Sequence, residues 1–241
     1  MRTMLLAATA SFALASPAAA TVVYSNNFNG ENGGNSALNY NGFNGLTVTN
    51  GTVDLVKSGD FGITCPGGAG ACVDLDGSTG NAGLTSSGSY AFSAGDRVAL
   101  SFLFSGNQRG GADDAFRASF RFAGFETGTY GYESSFYGNG TFGAYNSFII
   151  NSIIGQIPSG QAASAFTFYF VADTAGTASF EFEDYGNDNI GIVIDNISLD
   201  IGPNRNGAVP EPATWAMLIL GFGAMGATAR RRRALGQTAA A

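Results

Sequence analysis

The sequence predicts an all-β protein: an antiparallel β-sandwich of jelly-roll type, lying between two terminal segments that stand outside the fold. Three observations predict it. Apolar and polar residues alternate with period two through several segments, turn-forming pairs recur every ten or so residues, and no helical periodicity runs between Thr21 and Val209. The 36 glycines and 20 phenylalanines suit tight turns joining strands around an aromatic core.

The first element is Met1–Ala20. A single positive charge at Arg2 precedes an apolar run from Met4 to about Ala15, which ends in Ser16-Pro17-Ala18-Ala19-Ala20. That order describes a secretory signal peptide cleaved after Ala20, with signal peptidase as the implied partner. The run is too short to span a bilayer. The body then occupies 21–205. Strands are expected at Val22–Phe28, Leu46–Thr49, Thr52–Val56, Cys72–Leu75, Arg97–Phe104 and Ile190–Ile201. Others follow the alternations Phe116/Ala118/Phe120/Phe122, Phe166/Phe168/Phe170 and Phe180/Phe182. Asn50-Gly51, Gly67-Gly68, Asp76-Gly77, Asn139-Gly140 and Gly186-Asn187 mark turns between them.

Cys65 and Cys72, the only two cysteines, flank a Gly- and Ala-rich loop. In an exported chain they are expected to form a disulfide, which stabilises by roughly 2–2.5 kcal/mol for so short a ring. With no histidine anywhere, a Ser-His-Asp or Cys-His constellation and a His-ligated metal are excluded. Acid–base chemistry would need paired carboxylates, as in glycosidases. Asp113-Asp114, Asp74/Asp76 and Glu181/Glu183 are the candidate pairs. Asp113-Asp114 reads as a solvated turn, and Glu181 and Glu183 read as solvent-facing residues between buried phenylalanines. The expectation is therefore no enzyme and no catalytic residue.

The last strand holds an anomaly. In Val193-Ile194-Asp195-Asn196-Ile197-Ser198-Leu199-Asp200-Ile201, strict alternation puts Asp195 on one face with Val193, Ile197, Leu199 and Ile201. A carboxylate there needs hydrogen-bond donors or a cation. Two readings stand side by side: an Asp capping a neighbouring turn, and a calcium ligand. Val73-Asp74-Leu75-Asp76-Gly77 has the spacing that opens a calcium loop, but the remaining ligand positions are missing. Tyr130, Tyr132 and Tyr137 alternate with small residues and offer an aromatic surface for stacking on sugar faces. The body lacks tryptophan, since the single Trp is Trp215.

The remaining segment, 206–241, has its own grammar. Pro210-Glu211-Pro212 precedes an uncharged stretch from Ala213 to Ala229, and Arg230, Arg231, Arg232 and Arg233 follow at once. A single transmembrane helix is expected at about 213–229. Its length of about 25 Å is slightly short of the hydrocarbon core. Trp215 stands at the outer interface and the arginines hold the far end in the cytoplasm, so the body lies outside the inner membrane. Removing Glu211 from the 18 acids, and Arg2 and the four tail arginines from the 11 bases, leaves the body near −11. Such a surface excludes nucleic acid as a partner and suits cations or neutral sugars.

Pro210-Glu211-Pro212, Trp215-Ala216-Met217, Gly221-Phe222-Gly223 and the arginine run resemble the PEP-CTERM sorting signal. The resemblance implies that an exosortase, a membrane cysteine protease of bacteria that export polysaccharide, reads and cuts the tripeptide. More loosely, Ile194-Asp195-Asn196-Ile197-Ser198-Leu199 resembles the final strand of galactose-binding-like jelly rolls, which include carbohydrate-binding modules. There the strand's Asp and oxygens from the end of the first strand hold a structural Ca²⁺, which implies Asn29, Glu31 and Asp195 as ligands here. The expected function is a non-enzymatic protein of the cell surface or extracellular matrix, associated with or binding extracellular polysaccharide. The alternatives are a purely structural matrix protein and, more distantly, a carboxylate-dependent glycoside hydrolase.

Overall fold

The computed structural model describes residues 19–122, 128–134, 143–147, 150–186 and 188–204, with Leu220, Phe222 and Gly223; for 128–134, 143–147 and 150–155 it describes backbone only. The signal peptide, the sorting tripeptide, Trp215 and the four arginines lie outside the described residues. No helix among the described residues is long and apolar enough to cross a membrane.

Ala19–Pro203 forms one compact unit. Among the described residues fourteen strands build two antiparallel sheets. They are β1 (Thr21–Asn26), β2 (Leu46–Thr49), β3 (Asp54–Lys57), β4 (Ala71–Asp74), β5 (Gly83–Ser86), β6 (Tyr90–Phe92) and β7 (Asp96–Ser105). The series continues with β8 (Asp114–Phe122), β9 (Gly128–Ser134), β10 (Gly143–Ser147), β11 (Ile150–Ile157), β12 (Ser164–Ala172), β13 (Gly176–Asp184) and β14 (Val193–Pro203). One sheet runs β3-β4-β14-β7-β12-β9, with β1 also pairing β14. The other runs β10-β11-β8-β13-β5-β2, with β6 also pairing β13.

Each central strand contributes alternate residues to the layer between the sheets, as a period of two requires. Phe102 and Phe104 of β7 and Phe166, Phe168 and Phe170 of β12 come from one sheet; Phe116 and Phe120 of β8 and Phe180 and Phe182 of β13 come from the other. Rings of the two sheets meet directly: Phe102 and Phe182 are T-shaped with centroids 4.9 Å apart, and Phe120 stacks on Phe168 at 4.8 Å. Those geometries suit aromatic quadrupoles.

A smaller apolar cluster of Val56, Ile63, Cys65, Cys72 and Val193 lies apart from the main core. Cys65 and Cys72 are disulfide-bonded, with Cα atoms 5.5 Å apart, so the loop they close is stapled to β4. The expected pairing is thus found, and the loop it fixes sits where β14 departs from regular pairing.

Candidate functional site

The departure in β14 is a bulge. Against β7, Asp195 pairs Leu103 and Ser198 pairs Ser101, so three residue steps on β14 face two on its partner. Asn196 takes the extra position with φ of 50°, a left-handed conformation that Asn tolerates better than most residues. The bulge changes which side chains share a face, and here the strict alternation expected from sequence is corrected. Ile194, Ile197, Leu199 and Ile201 enter the main core, whereas Val193 joins the disulfide cluster. Asp195 turns to the disulfide loop: its Oδ2 accepts the Gly67 N–H at 3.0 Å and its Oδ1 the Asn196 N–H at 2.7 Å. Burial pushes this carboxyl up, and the two N–H donors oppose the shift.

The other two expected calcium ligands have chain donors of their own. Asn29 Oδ1 accepts the Ala71 N–H at 2.7 Å. Glu31 Oε1 accepts Asn26 Nδ2 and the Asn44 N–H, both at 2.8 Å. Each of the three expected ligands therefore meets a different set of backbone or amide donors.

The region the sequence singled out nonetheless borders a cavity. A cleft of about 550 Å³ opens between the end of β1, the Glu31 turn and the β14 bulge. Asn26, Asn27, Asn44, Asn196 and Ser198 line it with Glu31. Asn26 Oδ1 accepts the Phe28 N–H at 2.7 Å and its Nδ2 donates to Glu31, so one wall is fixed by its own hydrogen bonds. Its volume lies in the range of small-ligand sites, and its lining is dominated by uncharged amide and hydroxyl groups.

A second constellation was not assembled from sequence. Asp76 follows β4, Asp114 opens β8, Asp184 closes β13, and all three are 0% exposed. Beside them lies Gly186. A Cβ on Gly186 would stand 2.6 Å from Asp114 Oδ1, 3.0 Å from Asp76 Oδ2 and 3.2 Å from Asp184 Oδ1. Three carboxylate oxygens thus converge on one small space that a glycine keeps open. Asp184 Oδ1 accepts the Gly186 N–H and its Oδ2 the Ile192 N–H, each at 2.8 Å. Asp114 Oδ2 accepts Asn107 Nδ2 at 3.3 Å, and Asp76 Oδ1 accepts the Ala82 N–H at 3.3 Å. Asp114 Oδ1 and Asp76 Oδ2, the two oxygens facing the shared space, have no hydrogen-bond partner among the described residues.

Burial is the first cause raising these groups, and mutual repulsion adds to it. Asp184 is pushed up to about 8, with Asp76 and Asp114 both contributing. Asp76 and Asp114 rise to about 6, each also feeling the charge of Asp188. Neighbouring Asp74 is arranged differently. Its Oδ2 meets Arg109 Nη2 at 2.6 Å and its Oδ1 accepts the Gly191 N–H, although burial still takes it to about 7.

The sequence signals for this group were the D-x-D spacing at Asp74/Asp76 and the Asp113-Asp114 pair. Asp114 is not in a solvated turn: Asp113 is exposed and Asp114 buried, because β8 starts at Asp114. Glu181 and Glu183 are a further correction, being 2% and 5% exposed. They leave the main core as alternation requires, but arginines of the adjacent β8 cover them. Arg121 Nε donates to Glu181 at 2.6 Å, and Arg117 pairs with Glu183. Tyr185 and Asn50 donate further hydrogen bonds to Glu183. Of the tyrosines, Tyr130 and Tyr132 occupy register positions opposite Phe170 and Phe168 on the edge strand β9. Tyr137 lies outside the described residues.

Residues 208–233 match the family model of the PEP-CTERM protein-sorting motif. The chain carries a PEP-CTERM sorting tail. The expected motif and basic stop fall inside that match, and the tail marks the chain for export and exosortase processing. No curated protein matches the chain. Among solved structures, the enzymatically active domain of bacteriophage CBA120 tailspike protein 4 is similar at 16% identity and a TM-score of 0.38. The match covers 64% of this chain and 19% of that one, so this chain spans about a fifth of that protein's length.

Proposed function

We propose that the β-sandwich is a non-enzymatic, polysaccharide-binding body delivered to the cell surface by its PEP-CTERM tail. We read the sandwich as a jelly roll, residues 213–229 as the transient membrane helix, and exosortase cleavage as the event that ends membrane attachment. The observation that carries the binding role is the cleft between β1 and the β14 bulge. Asn26, Asn27, Asn44, Asn196 and Ser198 give it neutral donors and acceptors. Sugar hydroxyls each donate and accept hydrogen bonds, so a pocket of amides and hydroxyls matches their chemistry without a charged ligand. The acidic body disfavours polyanions and leaves neutral glycans as the fitting class.

The main core of the described residues lies within Ala19–Pro203, one compact unit, and this unit serves as the test protein, its folding checked first by its β-rich spectrum and cooperative melt. On a glycan array it should retain neutral extracellular polysaccharides, and Asn44→Ala or Asn196→Ala should lower that retention about tenfold or more, the loss of roughly one or two good hydrogen bonds. Equal retention by both variants contradicts the cleft assignment. Absence of any binding favours a ligand-free matrix protein. Release of shortened glycans would favour the hydrolase alternative. For the tail, intact-mass measurement of surface protein should find chains ending at or next to Pro210-Glu211-Pro212; recovery with Arg230–Arg233 attached would indicate a permanent anchor.

A further inference from the structure

We propose that Asp76, Asp114 and Asp184 hold a calcium ion, tying the segment after β4, the start of β8 and the end of β13 into one end-piece of the sandwich. Two observations carry it. Oxygens from three fully buried carboxylates lie within 3.2 Å of a single point beside Gly186. Two of those oxygens, Asp76 Oδ2 and Asp114 Oδ1, are fully buried and have no hydrogen-bond partner among the described residues. That point is the Cβ position which Gly186 lacks, at bonding distance from its Cα, so the ion stands among the surrounding oxygens and not at the point itself. A buried anionic oxygen without a donor is costly, and two facing one space are costlier still, unless a cation stands between them.

The chemistry of the donors selects the ion. They are all hard oxygens, with no histidine in the chain and both cysteines in the disulfide. That favours calcium or magnesium over zinc or copper. Magnesium demands near-ideal octahedral geometry, whereas calcium accepts irregular sets of six to eight oxygens. Asp184 gives one lone pair of each oxygen to a backbone N–H and Asp114 spends one oxygen on Asn107, while Asp188 lies near enough for its charge to act on Asp76 and Asp114. Among the described residues no three His, Cys, Asp or Glu side chains already stand at metal-holding distances, so the three carboxylates close in on the ion as it binds. Water completes the sphere, and the dissociation constant falls in the roughly 10⁻⁴–10⁻³ M range of extracellular calcium modules. This site is separate from Asp195, which faces the Gly67 N–H of the disulfide loop and has no oxygen left without a donor.

The test is thermal unfolding of Ala19–Pro203 in chelator, in a calcium chloride series and in a matched magnesium chloride series, with calorimetric calcium titration alongside. Calcium at a hundredfold excess over its dissociation constant should raise Tm by about 5–10 °C. Magnesium at the same concentration should do much less. Asp76→Asn combined with Asp114→Asn should abolish the calcium response. So should Gly186→Ala, which places a methyl group in the space, and Asp195→Asn should preserve it. The proposal is overturned if calcium neither binds nor shifts the wild-type melt, or if magnesium acts equally. It is equally overturned if Asp195→Asn abolishes the response while the Asp76/Asp114 variant keeps it. Should the double variant fail to fold, Gly186→Ala and the wild-type titration decide.

Discussion

Asp195 and the pair Asp76 and Asp114 are buried to nearly the same degree, 2% against 0% exposed, yet their surroundings differ in kind. Asp195 faces a loop that offers a backbone N–H, and the bulge beside it turns a second N–H onto the same carboxylate. Asp76 and Asp114 meet their chain donors, Ala82 and Asn81 for the one and Asn107 for the other, and present their remaining oxygens to one another's neighbourhood. Burial alone therefore does not mark a ligand site. The distinguishing feature is an oxygen that no described donor reaches, because an unpaired buried acceptor bears its whole desolvation cost. In the first region a carboxylate serves the backbone; in the second, two carboxylate oxygens meet no donor among the described residues.

The largest expected effect separates Asp184 from the other two acids of its cluster. Asp184→Ala removes both acceptors of the Ile192 and Gly186 N–H groups. It should cost about 2–4 kcal/mol in urea melts, in chelator as well as in calcium, since each buried donor left unpaired costs about 1–3 kcal/mol. Asp76→Asn, which keeps shape and removes charge, should instead leave stability in chelator equal or higher. If both variants destabilise alike, the distinction between donor-satisfying and cation-facing carboxylates fails.

A middle-sized effect is expected from pH. With calcium chelated, Asp184 at about 8, Asp74 at about 7, and Asp76 and Asp114 at about 6 all stand above the usual carboxylate value of 3.8. The folded chain then binds these protons more tightly than the unfolded chain. Their contribution is fully present below about pH 4 and is lost as pH rises through 6 to 8. Calcium stabilises the ionised forms, so Tm measured from pH 4 to 8 should fall in chelator and flatten or rise in calcium. Parallel curves in the two media would contradict the assignment.

A smaller effect concerns the other region. Asp195→Asn retains an oxygen able to accept the Gly67 N–H and should cost about 1 kcal/mol, whereas Asp195→Ala, leaving both donors unpaired, should cost about 2 kcal/mol. Neither should alter the calcium response. Smallest of all, Asn44→Ala on the exposed rim of the cleft should change stability by no more than about 0.5 kcal/mol while weakening glycan retention.

What sequence could reveal follows the range of the interactions involved. Strands built on alternating phenylalanines or valines, such as β7, β8, β12 and β13, were readable because their signal is local. Leu46–Thr49 was placed to the residue. Gly83–Ser86 and Ile150–Ile157 were not, because small and polar residues dilute the alternation and pairing with β13 and β8 makes them strands. The bulge at Asp195-Asn196 had one local cue, an Asn suited to positive φ, but alternation alone places every side chain on the wrong face beyond one inserted residue. The candidate site was legible only in part. Asp76 and Asp114 were visible as members of acidic pairs, and Asp195, Asn29 and Glu31 drew attention to the region of the cleft. The meeting of Asp76, Asp114 and Asp184 depends on strand order in two sheets, which no spacing in the sequence encodes.

The most direct test is a crystal structure of Ala19–Pro203 grown with calcium, with anomalous scattering used to locate the ion. The account predicts a peak about 2.3–2.6 Å from oxygens of Asp76, Asp114 and Asp184, beside the Gly186 backbone, and only protein donors around Asp195. A peak among Asn29, Glu31 and Asp195, or an ordered water alone between Asp76 and Asp114, would contradict it.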